Sequence, residues 1–534
     1  MKRTMKIAFV SLLVLCMAAS LFAGGGSQSA PAPAAAAAAG PVAVELWYGL
    51  SMTEMPPPPA DWKVIQLVKD KLGIDLTISA LPSSGNDQDV RINAAAAANA
   101  LPDIFQVNRT PWVNIVRTGL LGPVDDLFAL MPQRTKKMYD AEAKAYSTYN
   151  GKVYGLSQPG AISRNEGVLI REDWLKKLGL SVPVTLDDYF NVMKAFTEKD
   201  PDGNGRADTF GFGAFIELDA TYEEGLGRRF EPLLGAFGVA GTWNLQGSNP
   251  GLNVRRPEMY DALSFIKKMV DEKVIDPNWI SLNKDDFLAA WKQGRFGIMR
   301  EQNAAWAAES NYAPFDQNFP NGNWIVIDPP KGPTGLRSVG VFPNNYRTLS
   351  LSAKAVQAGK GPAIAKLLEW MVDESDNGGY YLLGWGEKGV NYVIGADGSP
   401  TETGIPDASK GWSKPEVTSI TQLRNMVFYN SQVELVSRYP TYKTATSGKT
   451  MSALDALYDM QKRDWTPNDG SNALPTPNAD LKRFYEQGVI EFVTGVRPLT
   501  QANWTAWVAE FDRLGGKAWE DAGIAAARAG GYIK

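Results

Sequence analysis

The stretch P-V-A-V-E-L-W-Y-G, Pro41 to Gly49, decides the fold class of this chain. Apolar and polar residues alternate along it and then the alternation breaks, as in a first strand that ends in a loop. Apolar residues at helical spacing follow from Asp61 to Leu72 and predict a helix. The segment from Ile74 to Ala80 is typical of a second strand. A helix over Asp87 to Ala100 and a strand over Leu101 to Asn108 come next. This β-α-β-α-β order predicts a mainly parallel sheet covered by helices.

Length and charge narrow the class of protein. With 534 residues the chain is too long for one core, which predicts two or more domains. A hydrophobic fraction of 44% and a charged fraction of 21% are typical of a soluble globular protein. The 54 Lys and Arg residues against 58 Asp and Glu leave no basic surplus to neutralise phosphates, so we expect no nucleic-acid partner.

The first 40 residues predict export. Residues 1–23 have a charged start, an apolar core from Ile7 to Met17 and a small residue, Ala23, at the expected cut, so they resemble a signal peptide. Cleavage there predicts a periplasmic protein. The alternative is a lipid anchor on Cys16, which is the single cysteine. Residues 24–40, rich in Gly, Ala and Pro, predict a flexible tether that suits either location.

The absence of histidine limits the chemistry that the chain can perform. His is 0, so a Ser-His-Asp or Cys-His nucleophile system and a histidine metal site are excluded. The enzyme class that remains open is a glycosidase with two carboxylates. No pair stands out among the acidic residues, so we predict no enzyme.

The segment D-P-D-G-N-G-R-A-D, Asp200 to Asp208, predicts a structural Ca²⁺ site. Oxygen-bearing side chains recur at alternate positions around two glycines, as a hard cation requires. Gly211 stands where a calcium-sensing hand needs a bidentate glutamate, so the loop is not predicted to be an EF-hand sensor. An ordinary polar turn is the alternative. The predicted ligands are Asp200, Asp202, Asn204, Arg206 through its carbonyl, and Asp208.

Aromatic residues favour a carbohydrate ligand. The chain has 16 Trp and 19 Tyr, many in predicted loops. Aromatic faces pack on sugar rings while neighbouring amides, arginines and carboxylates bond the hydroxyls. Core packing is the alternative for any single one of these residues.

Several motifs together identify a family. Y-N-G-K-V-Y-G-L (Tyr149 to Leu156), I-R-E-D-W-L-K-K-L-G-L (Ile170 to Leu180), P-V-T-L-D (Pro183 to Asp187) and the Asp200 loop resemble those of the extracellular solute-binding proteins of family 1. These are sugar-binding receptors of ABC importers, and the likeness is to their LipO-like, alginate-binding-protein-like branch. E-F-V-T-G near the end (Glu491 to Gly495) is similar as well.

The resemblance implies a fold and a function. The fold is α/β, a two-lobed periplasmic-binding-protein fold of type II, with two discontinuous lobes, a hinge and a ligand cleft. We expect the first lobe at 41–157 and 338–405, and the second at 158–337 and 406–534. The implied protein is a monomeric, non-enzymatic periplasmic receptor that binds an oligosaccharide and delivers it to a membrane ABC permease. The alternatives are a receptor for a peptide or other polar solute, or the secreted glycosidase.

Cleft residues are expected in loops at the ends of strands. Three of them, Arg109, Arg164 and Arg300, are suited to a uronate carboxylate or to neutral hydroxyls, with a surface ion pair as the alternative. The loop G-W-G-E-K-G-V-N-Y, Gly384 to Tyr392, is longer than the G-x-E-G-V-x-Y of relatives, and we expect it at the cleft. The candidates are Trp47, Tyr48, Asn108, Arg109, Gln158, Arg164, Arg300, Glu301, Trp306, Asn344, Asn345 and Trp385.

Overall fold

The computed structural model describes most of the chain after residue 39. Its first compact unit, Met1–Pro41, falls almost wholly outside the described residues, as do the predicted signal peptide and most of the tether. All elements below belong to the second unit, Val42–Lys534. The described residues are 40–49, 62–82, 85–159, 166–218, 223–246, 249–302, 304–342, 346–396, 398–402, 423–439, 441–463, 466–467, 474–529 and 533.

Two sheets organise the described chain. Their strands are, in chain order, β1 Val42–Gly49, β2 Ile74–Leu81, β3 Ile104–Val107, β4 Leu156–Pro159, β5 Glu166–Arg171, β6 Phe210–Gly213, β7 Phe296–Gln302, β8 Trp324–Ile327 and β9 Tyr346–Leu351. The helices are α1 Lys63–Leu72, α2 Gly85–Ala97, α3 Arg109–Arg117, α4 Pro132–Met138, α5 Ala141–Tyr146, α6 Glu172–Leu178, α7 Leu186–Glu198, α8 Glu231–Ala236, α9 Pro257–Asp271, α10 Lys284–Lys292, α11 Glu309–Asn318, α12 Ala353–Gln357, α13 Gly361–Trp370, α14 Tyr380–Trp385, α15 Gln432–Arg438, α16 Ala453–Gln461, α17 Ala479–Thr494, α18 Gln501–Arg513 and α19 Gly516–Ala529.

Short elements complete the chain. The 3-10 helices are Asp125–Leu130, Arg228–Phe230, Asn253–Arg255 and Ala305–Ala307. Two-residue and three-residue strand pairs are Thr148–Tyr149 with Lys152–Val153, Trp243–Asn244 with Gly251–Leu252, Val341–Phe342 with Thr466–Pro467, Tyr392–Ile394 with Pro400–Glu402, and Thr441–Lys443 with Thr450–Ser452.

The first sheet has the order β2-β1-β3-β9-β4. β1 is parallel to β2 over its whole length and parallel to β3. β9 is antiparallel to both β3 and β4. The predicted parallel β-α-β-α-β unit is therefore confirmed: α1 connects the neighbouring strands β1 and β2, and α2 connects β2 to β3, which lies on the other side of β1.

The second sheet has the order β8-β5-β7-β6. β7 is parallel to β6 and antiparallel to β5, and β5 is antiparallel to β8. Its strands are almost entirely buried, as expected for a sheet covered on both faces. Among the described residues, none of the helices combines the length and apolar character that a bilayer span requires.

The hydrophobic cores follow the sheets and refine the expected lobe boundaries. β4 extends to Pro159 and pairs with β9, so the first sheet continues past the expected end of its segment at 157. Leu423, Met426 and Val427 pack in the same core as β1. These three residues lie inside 406–534, which was expected in the second lobe. The lobe assignment by sequence remains a prediction; packing extends the first segment to Pro159, two residues past its expected end, and brings Leu423 to Phe428, about 20 residues past the other expected border, into the core of the first sheet.

Candidate functional site

A short connection joins the carboxyl edges of the two sheets. β4 ends at Pro159, and β5 begins at Glu166, which pairs with Gln302 at the carboxyl end of β7. Seven peptide steps separate Pro159 from Glu166 and cover at most about 25 Å when fully extended. Ligands of open α/β sheets bind beyond the carboxyl ends of strands. The space between these two edges is therefore the candidate ligand cleft.

Two glutamines mark the cleft edge of the first sheet. The Gln106 amide nitrogen lies 3.5 Å from Gln88 Oε1, and Gln88 Nε2 donates to the Pro82 carbonyl at 2.7 Å. Both pack across Gly49, where a Cβ would lie 2.7 Å from Gln88 Nε2. Amides both donate and accept, as recognition of sugar hydroxyls requires. Sequence reasoning missed the pair, although Gln106 stands one residue before the end of β3.

The predicted aromatic candidate Trp47 is half-buried near the same edge. Its indole nitrogen donates to Glu45 Oε1 at 2.7 Å, and the Arg91 guanidinium lies 4.4 Å from the ring centre. Arg91 is itself held by the Ala80 carbonyl at 2.7 Å. One aromatic face is thus covered by a cation, and the ring also packs against the core cluster that contains Leu81 and Phe105, so only its exposed part can meet a ligand.

Tyr48 and Gln158, also predicted, belong to a buried polar group. Tyr48 points into the core, where burial raises the pKa of its hydroxyl and the hydrogen-bonded Arg347 opposes that rise. Gln158 accepts from Arg134 Nη2 at 2.7 Å and donates to the Asn425 carbonyl at 2.6 Å. Its amide is therefore used to hold β4 to the segment at residue 425.

Asn108 and Arg109 begin helix α3 and are both engaged. Asn108 Nδ2 donates to Asp89 Oδ1 at 2.7 Å. Burial raises the pKa of Asp89, and this hydrogen bond opposes the rise. The Arg109 guanidinium donates to the Tyr146 carbonyl and lies 4.5 Å from the Trp112 ring centre. Asn108 and Asp89 present polar atoms at the edge, whereas Arg109 packs between aromatic rings.

The second sheet contributes a charged network at its edge. Arg228 Nη1 donates to Gln302 Oε1 at 3.0 Å and lies 3.9 Å from a Glu166 oxygen. Arg229 Nε donates to Glu217 Oε2 at 2.9 Å. Both arginines come from the segment E-E-G-L-G-R-R-F-E, residues 223–231, which sequence reasoning did not single out. The feature of the sequence that could have drawn attention to this segment is its two closely spaced glycines, Gly225 and Gly227, which both adopt positive φ.

The predicted candidates Arg300 and Glu301 lie on β7, buried within this network. Arg300 forms an ion pair with Glu166, and burial lowers the pKa of Arg300 to about 9, with Glu301 opposing. Glu301 Oε1 accepts from Arg229 at 3.2 Å. A wholly buried guanidinium paired with a carboxylate positions its neighbours, and this is the role that the contacts of Arg300 support.

The tryptophans Trp306 and Trp385 are core residues. Trp306 is buried, with its ring 6.2 Å from Tyr312 in an edge-on arrangement. Trp385 donates to Ser437 Oγ at 2.8 Å, and its ring lies 5.1 Å from Phe428. Their large apolar area explains the burial. The remaining candidates, Arg164, Asn344 and Asn345, lie outside the described residues.

The predicted calcium loop is a compact polar turn. Asp200 accepts three backbone N–H groups, from Gly203 at 3.0 Å, Asn204 at 3.1 Å and Gly205 at 3.0 Å. Both glycines have positive φ, 78° and 77°, which the bend requires. Asn204 Nδ2 donates to Asp202 Oδ2 at 2.8 Å and to Asp208 Oδ1 at 3.1 Å.

The chemistry of this donor set fits a hard cation in part. A side-chain hydrogen bond with Asp202 lowers the pKa of Asp200, while burial raises the pKa of Asp202 and the contact with Asp200 adds to that rise. Within the described part of the chain no three acidic, histidine or cysteine side chains are grouped to hold a metal by themselves. A cation at this loop would need the Asn204 amide oxygen and the Arg206 carbonyl as well.

Thr209 cannot supply a further ligand as arranged. It is buried, and its hydroxyl donates to the Phe196 carbonyl at 2.9 Å. Arg206 meanwhile pairs with Asp208 at 2.7 Å through its side chain. The loop therefore offers oxygen donors from Asp200, Asp202, Asn204, Arg206 and Asp208, and Arg206 competes for one of them.

Comparison with known proteins assigns the family. The family described as bacterial extracellular solute-binding protein matches residues 59–377. The chain belongs to this family. The predicted recognition is confirmed, and the two-sheet α/β architecture is the fold of an extracellular solute-binding protein. Members of the family are binding proteins rather than enzymes.

Three relatives of this solute-binding protein carry more specific names. The polygalacturonan/rhamnogalacturonan-binding protein YtcQ of Bacillus subtilis is 24% identical over 476 residues, 86% of this chain and 86% of its own length. Lipoprotein LipO of the same organism is 26% identical over 60% of this chain and 62% of its own. The fructooligosaccharide ABC transporter substrate-binding protein FusA of Streptococcus pneumoniae is 25% identical over 59% of this chain and 60% of its own length.

A solved structure shows the same fold. FusA in complex with kestose matches with a TM-score of 0.58 at 17% identity, covering 89% of this chain and 97% of that one. At this identity the likeness shows the fold of this solute-binding protein and leaves its ligand to be argued from its own residues.

Proposed function

We propose that this chain is the substrate-binding receptor of an ABC importer and binds an oligosaccharide between its two sheets. The observation that carries the proposal is the pair of carboxyl edges that the short connection from Pro159 to Glu166 joins, both lined with amides and carboxylates. The names of the relatives YtcQ and FusA support a saccharide over a peptide or another polar solute.

The polar groups at the two edges have different tasks. Gln88, Gln106 and the Asn108–Asp89 pair offer donors and acceptors from the first sheet. The second sheet offers Gln302, which the Arg228 guanidinium orients at 3.0 Å. Trp47 supplies an aromatic surface beside Gln106's strand. Together they match the in-plane hydroxyls and apolar faces of sugar rings.

The receptor delivers rather than transforms its ligand. The edge carboxylates Glu166, Glu217 and Glu301 each contact an arginine, an arrangement that suits fixed positioning of neighbouring groups. Binding between the lobes favours a closed state by the ligand's differential affinity, and a membrane permease then distinguishes loaded from empty receptor. The receptor acts as a monomer on the outer side of the membrane.

Two accessory features belong to the proposal. Residues 1–23 direct export, and residues 24–40 form the tether, with Cys16 as the alternative anchor. The Asp200 loop binds a structural Ca²⁺ through the five residues named above. The cation would clip the end of α7 to the start of β6, which the loop connects.

The test is ligand-dependent stability without turnover. The purified protein is heated with a panel of neutral and uronic oligosaccharides, and binding is followed by calorimetry. A ligand that binds the folded state raises the melting temperature, by mass action. We expect one-to-one binding and intact ligand afterwards. Release of reducing ends would assign the chain to glycosidases, and a response to peptides alone would reassign its ligand class.

A matched pair of variants places the ligand in the cleft. Gln106→Ala removes an amide at the edge and is expected to weaken binding about tenfold, since hydrogen-bonding sites left unpaired cost about 1–3 kcal/mol. Gln66→Ala, an exposed glutamine on α1 bonded to Asp70, is the control and should leave affinity unchanged. Equal affinities for both variants would remove the ligand from this edge.

A further inference from the structure

A separate cavity of about 350 Å³ lies in the helical layer of the first sheet. It is lined by α1, by residues 375–378, by α14 and by the loop Gly386 to Tyr392. This loop belongs to the segment that is longer than in relatives and was expected at the cleft. The volume is at the lower end of the range of about 300–1,000 Å³ typical of small-molecule sites.

The cavity reaches the side of the sheet opposite the cleft. Lys71, on its wall, belongs to the last turn of α1. Two residues later, the Gly73 carbonyl accepts from the Val42 N–H at 2.9 Å, at the start of β1. The cleft edge begins at Gly49, about 23 Å along the strand at 3.3 Å per residue. The cavity wall at Lys71 is therefore remote from the candidate cleft.

Its lining combines aromatic and polar groups. The rings of Tyr381 and Tyr392 are stacked, with centres 6.1 Å apart and planes at 17°. Leu67 and Leu382 add apolar surface, and Tyr381 remains half-exposed. Two ammonium groups and two carboxylates surround this surface and balance in charge, Lys71, Lys388, Asp376 and Glu387.

The loop on its rim is held in one conformation. Asn391 Oδ1 accepts from the Glu387 N–H at 2.8 Å, and the Gly389 N–H donates to the Tyr392 carbonyl at 2.7 Å. Gly386 has φ 94°, and a Cβ there would lie 2.7 Å from Asn391 Oδ1. The glycine thus permits the close approach that fixes the loop, and the polar rim is preorganised.

We propose that this cavity is a second saccharide site, which takes one or two neutral sugar rings. The exposed part of Tyr381 packs on a ring face, and Asp376 and Glu387 bond its hydroxyls, together with the hydrogen of Lys71 Nζ that remains beside its bonds to Asn377 at 3.2 and 3.4 Å. Balanced charges disfavour a strongly charged ligand, and the volume accommodates one or two sugar rings. This site goes beyond the proposed cleft function and does not depend on it.

The experiment titrates the purified protein with cellobiose, maltose and galactobiose by saturation-transfer NMR and calorimetry. We expect at least one disaccharide to bind the wild type, and Tyr381→Ala to weaken that binding about tenfold through the lost aromatic contact. Tyr458→Ala is the matched control, a half-exposed tyrosine on α16 bonded to Gln432. Oligosaccharide binding to the cleft, measured separately, should be the same in both variants.

A second variant keeps the test independent of folding. Glu387→Gln keeps the shape of the rim and replaces a carboxylate acceptor. It should therefore lower the affinity for the disaccharide severalfold and leave the melting temperature unchanged. The proposal is overturned if no disaccharide binds the wild type, or if Tyr381→Ala and Glu387→Gln bind it as the wild type does. Loss of cleft binding alone would contradict the cleft proposal and leave this site standing.

Discussion

Arg134 shows how one buried side chain holds the first lobe together. It is wholly buried on α4 and donates to four acceptors, Tyr139 Oη at 2.8 Å, the Leu368 carbonyl at 3.2 Å, Gln158 Oε1 at 2.7 Å and the Met426 carbonyl at 2.8 Å. These acceptors belong to four separate segments. The guanidinium therefore fixes the helix layer, strand β4 and the segment at residue 426 relative to one another.

Replacing Arg134 by Met leaves those acceptors without donors in the core. Each buried group left unpaired costs about 1–3 kcal/mol, so we expect Arg134→Met to lower the free energy of unfolding by about 3 kcal/mol or more. Urea titration measures the change. Arg483→Met is the control, because Arg483 is exposed and pairs with exposed Asp480. Its free energy of unfolding should stay within about 0.5 kcal/mol of the wild-type value. A similar small loss for both variants would contradict the role of Arg134.

Glu223 predicts a pH dependence. Burial raises the pKa of Glu223 to about 8, Lys482 opposes the rise, and Glu486 and Glu224 add to it. The folded state thus keeps a proton that the unfolded chain loses near the ordinary value of 4.5. Its contribution to stability is fully present below about pH 4.5 and is lost as the pH rises through about 8.

The test compares the wild type with Glu223→Gln. The amide stays neutral at every pH. The free energy of unfolding of the variant should therefore rise relative to that of the wild type between pH 5 and pH 9, by about 1.4 kcal/mol for each unit that separates the folded and unfolded pKa values of Glu223. Unfolding free energies at pH 5, 7 and 9 measure the difference. Glu486→Gln, on the neighbouring half-buried carboxyl, gives the comparison. A difference between wild type and Glu223→Gln that does not change with pH would contradict the assignment.

Among the elements, helix α15 has an unusually well-bonded start. The Glu434 carboxylate accepts from the N–H groups of Tyr429 at 3.0 Å and Ser431 at 3.2 Å, and from Tyr380 Oη at 2.8 Å. Ser431 completes a capping box. Tyr380 belongs to the core of the first sheet, whereas Leu435 on the same helix packs in a different core. α15 therefore bridges two packed regions.

We expect Glu434→Ala to loosen this bridge. A cap alone is worth about 1 kcal/mol, and the buried bond from Tyr380 adds a further unpaired group, so the loss should reach about 2–3 kcal/mol. Hydrogen exchange over residues 429–438 should rise. Asp188→Ala, in the exposed capping box of α7, is the matched control with a loss of about 1 kcal/mol. Equal losses would mean that Glu434 acts only as a cap.

The Asp200 loop predicts a response to calcium. If Ca²⁺ binds there, a free concentration 100 times its Kd stabilises the fold by about 2.7 kcal/mol, and chelator removes the gain. Asp208→Asn should weaken binding, measured by calorimetry. Asp480→Asn on exposed α17 is the control. A melting temperature indifferent to calcium and chelator would assign the loop to an ordinary turn.

The sequence predicted elements better than side-chain surroundings. β1, α1 and β2 were expected within two residues of their bounds, because alternation and helical spacing reflect burial of one face. Trp385 was expected in the cleft and lies in the core. Its ring packs against Phe428 and its indole nitrogen donates to Ser437, and both partners are distant in the chain. Gln88 and Gln106 were missed because only strand pairing brings them together across Gly49. Contacts between distant segments have no local signal.

At the scale of the whole molecule, the proposed function requires the two lobes to close around the ligand. The chain passes from the first sheet to the second through the short connection from Pro159 to Glu166. It returns to the first sheet between β8 and β9. A hinge of this kind lets packed lobes rotate as bodies, a movement found in periplasmic binding proteins. The ligand shifts the population only as far as it favours the closed state.

Closure can be measured because the single cysteine, Cys16, precedes the described chain. After its removal with residues 1–23, Val90→Cys and Ile280→Cys place spin labels on exposed sites of the first and second lobes. An oligosaccharide found by the stability screen should move the label distance to a shorter, narrower distribution. Val90→Cys with Leu130→Cys, both exposed in the first lobe, should keep its distance. If the inter-lobe distance stays the same while the ligand is bound, the lobes are already closed without it, and recognition by the permease would have to rest on the ligand itself rather than on a change of shape.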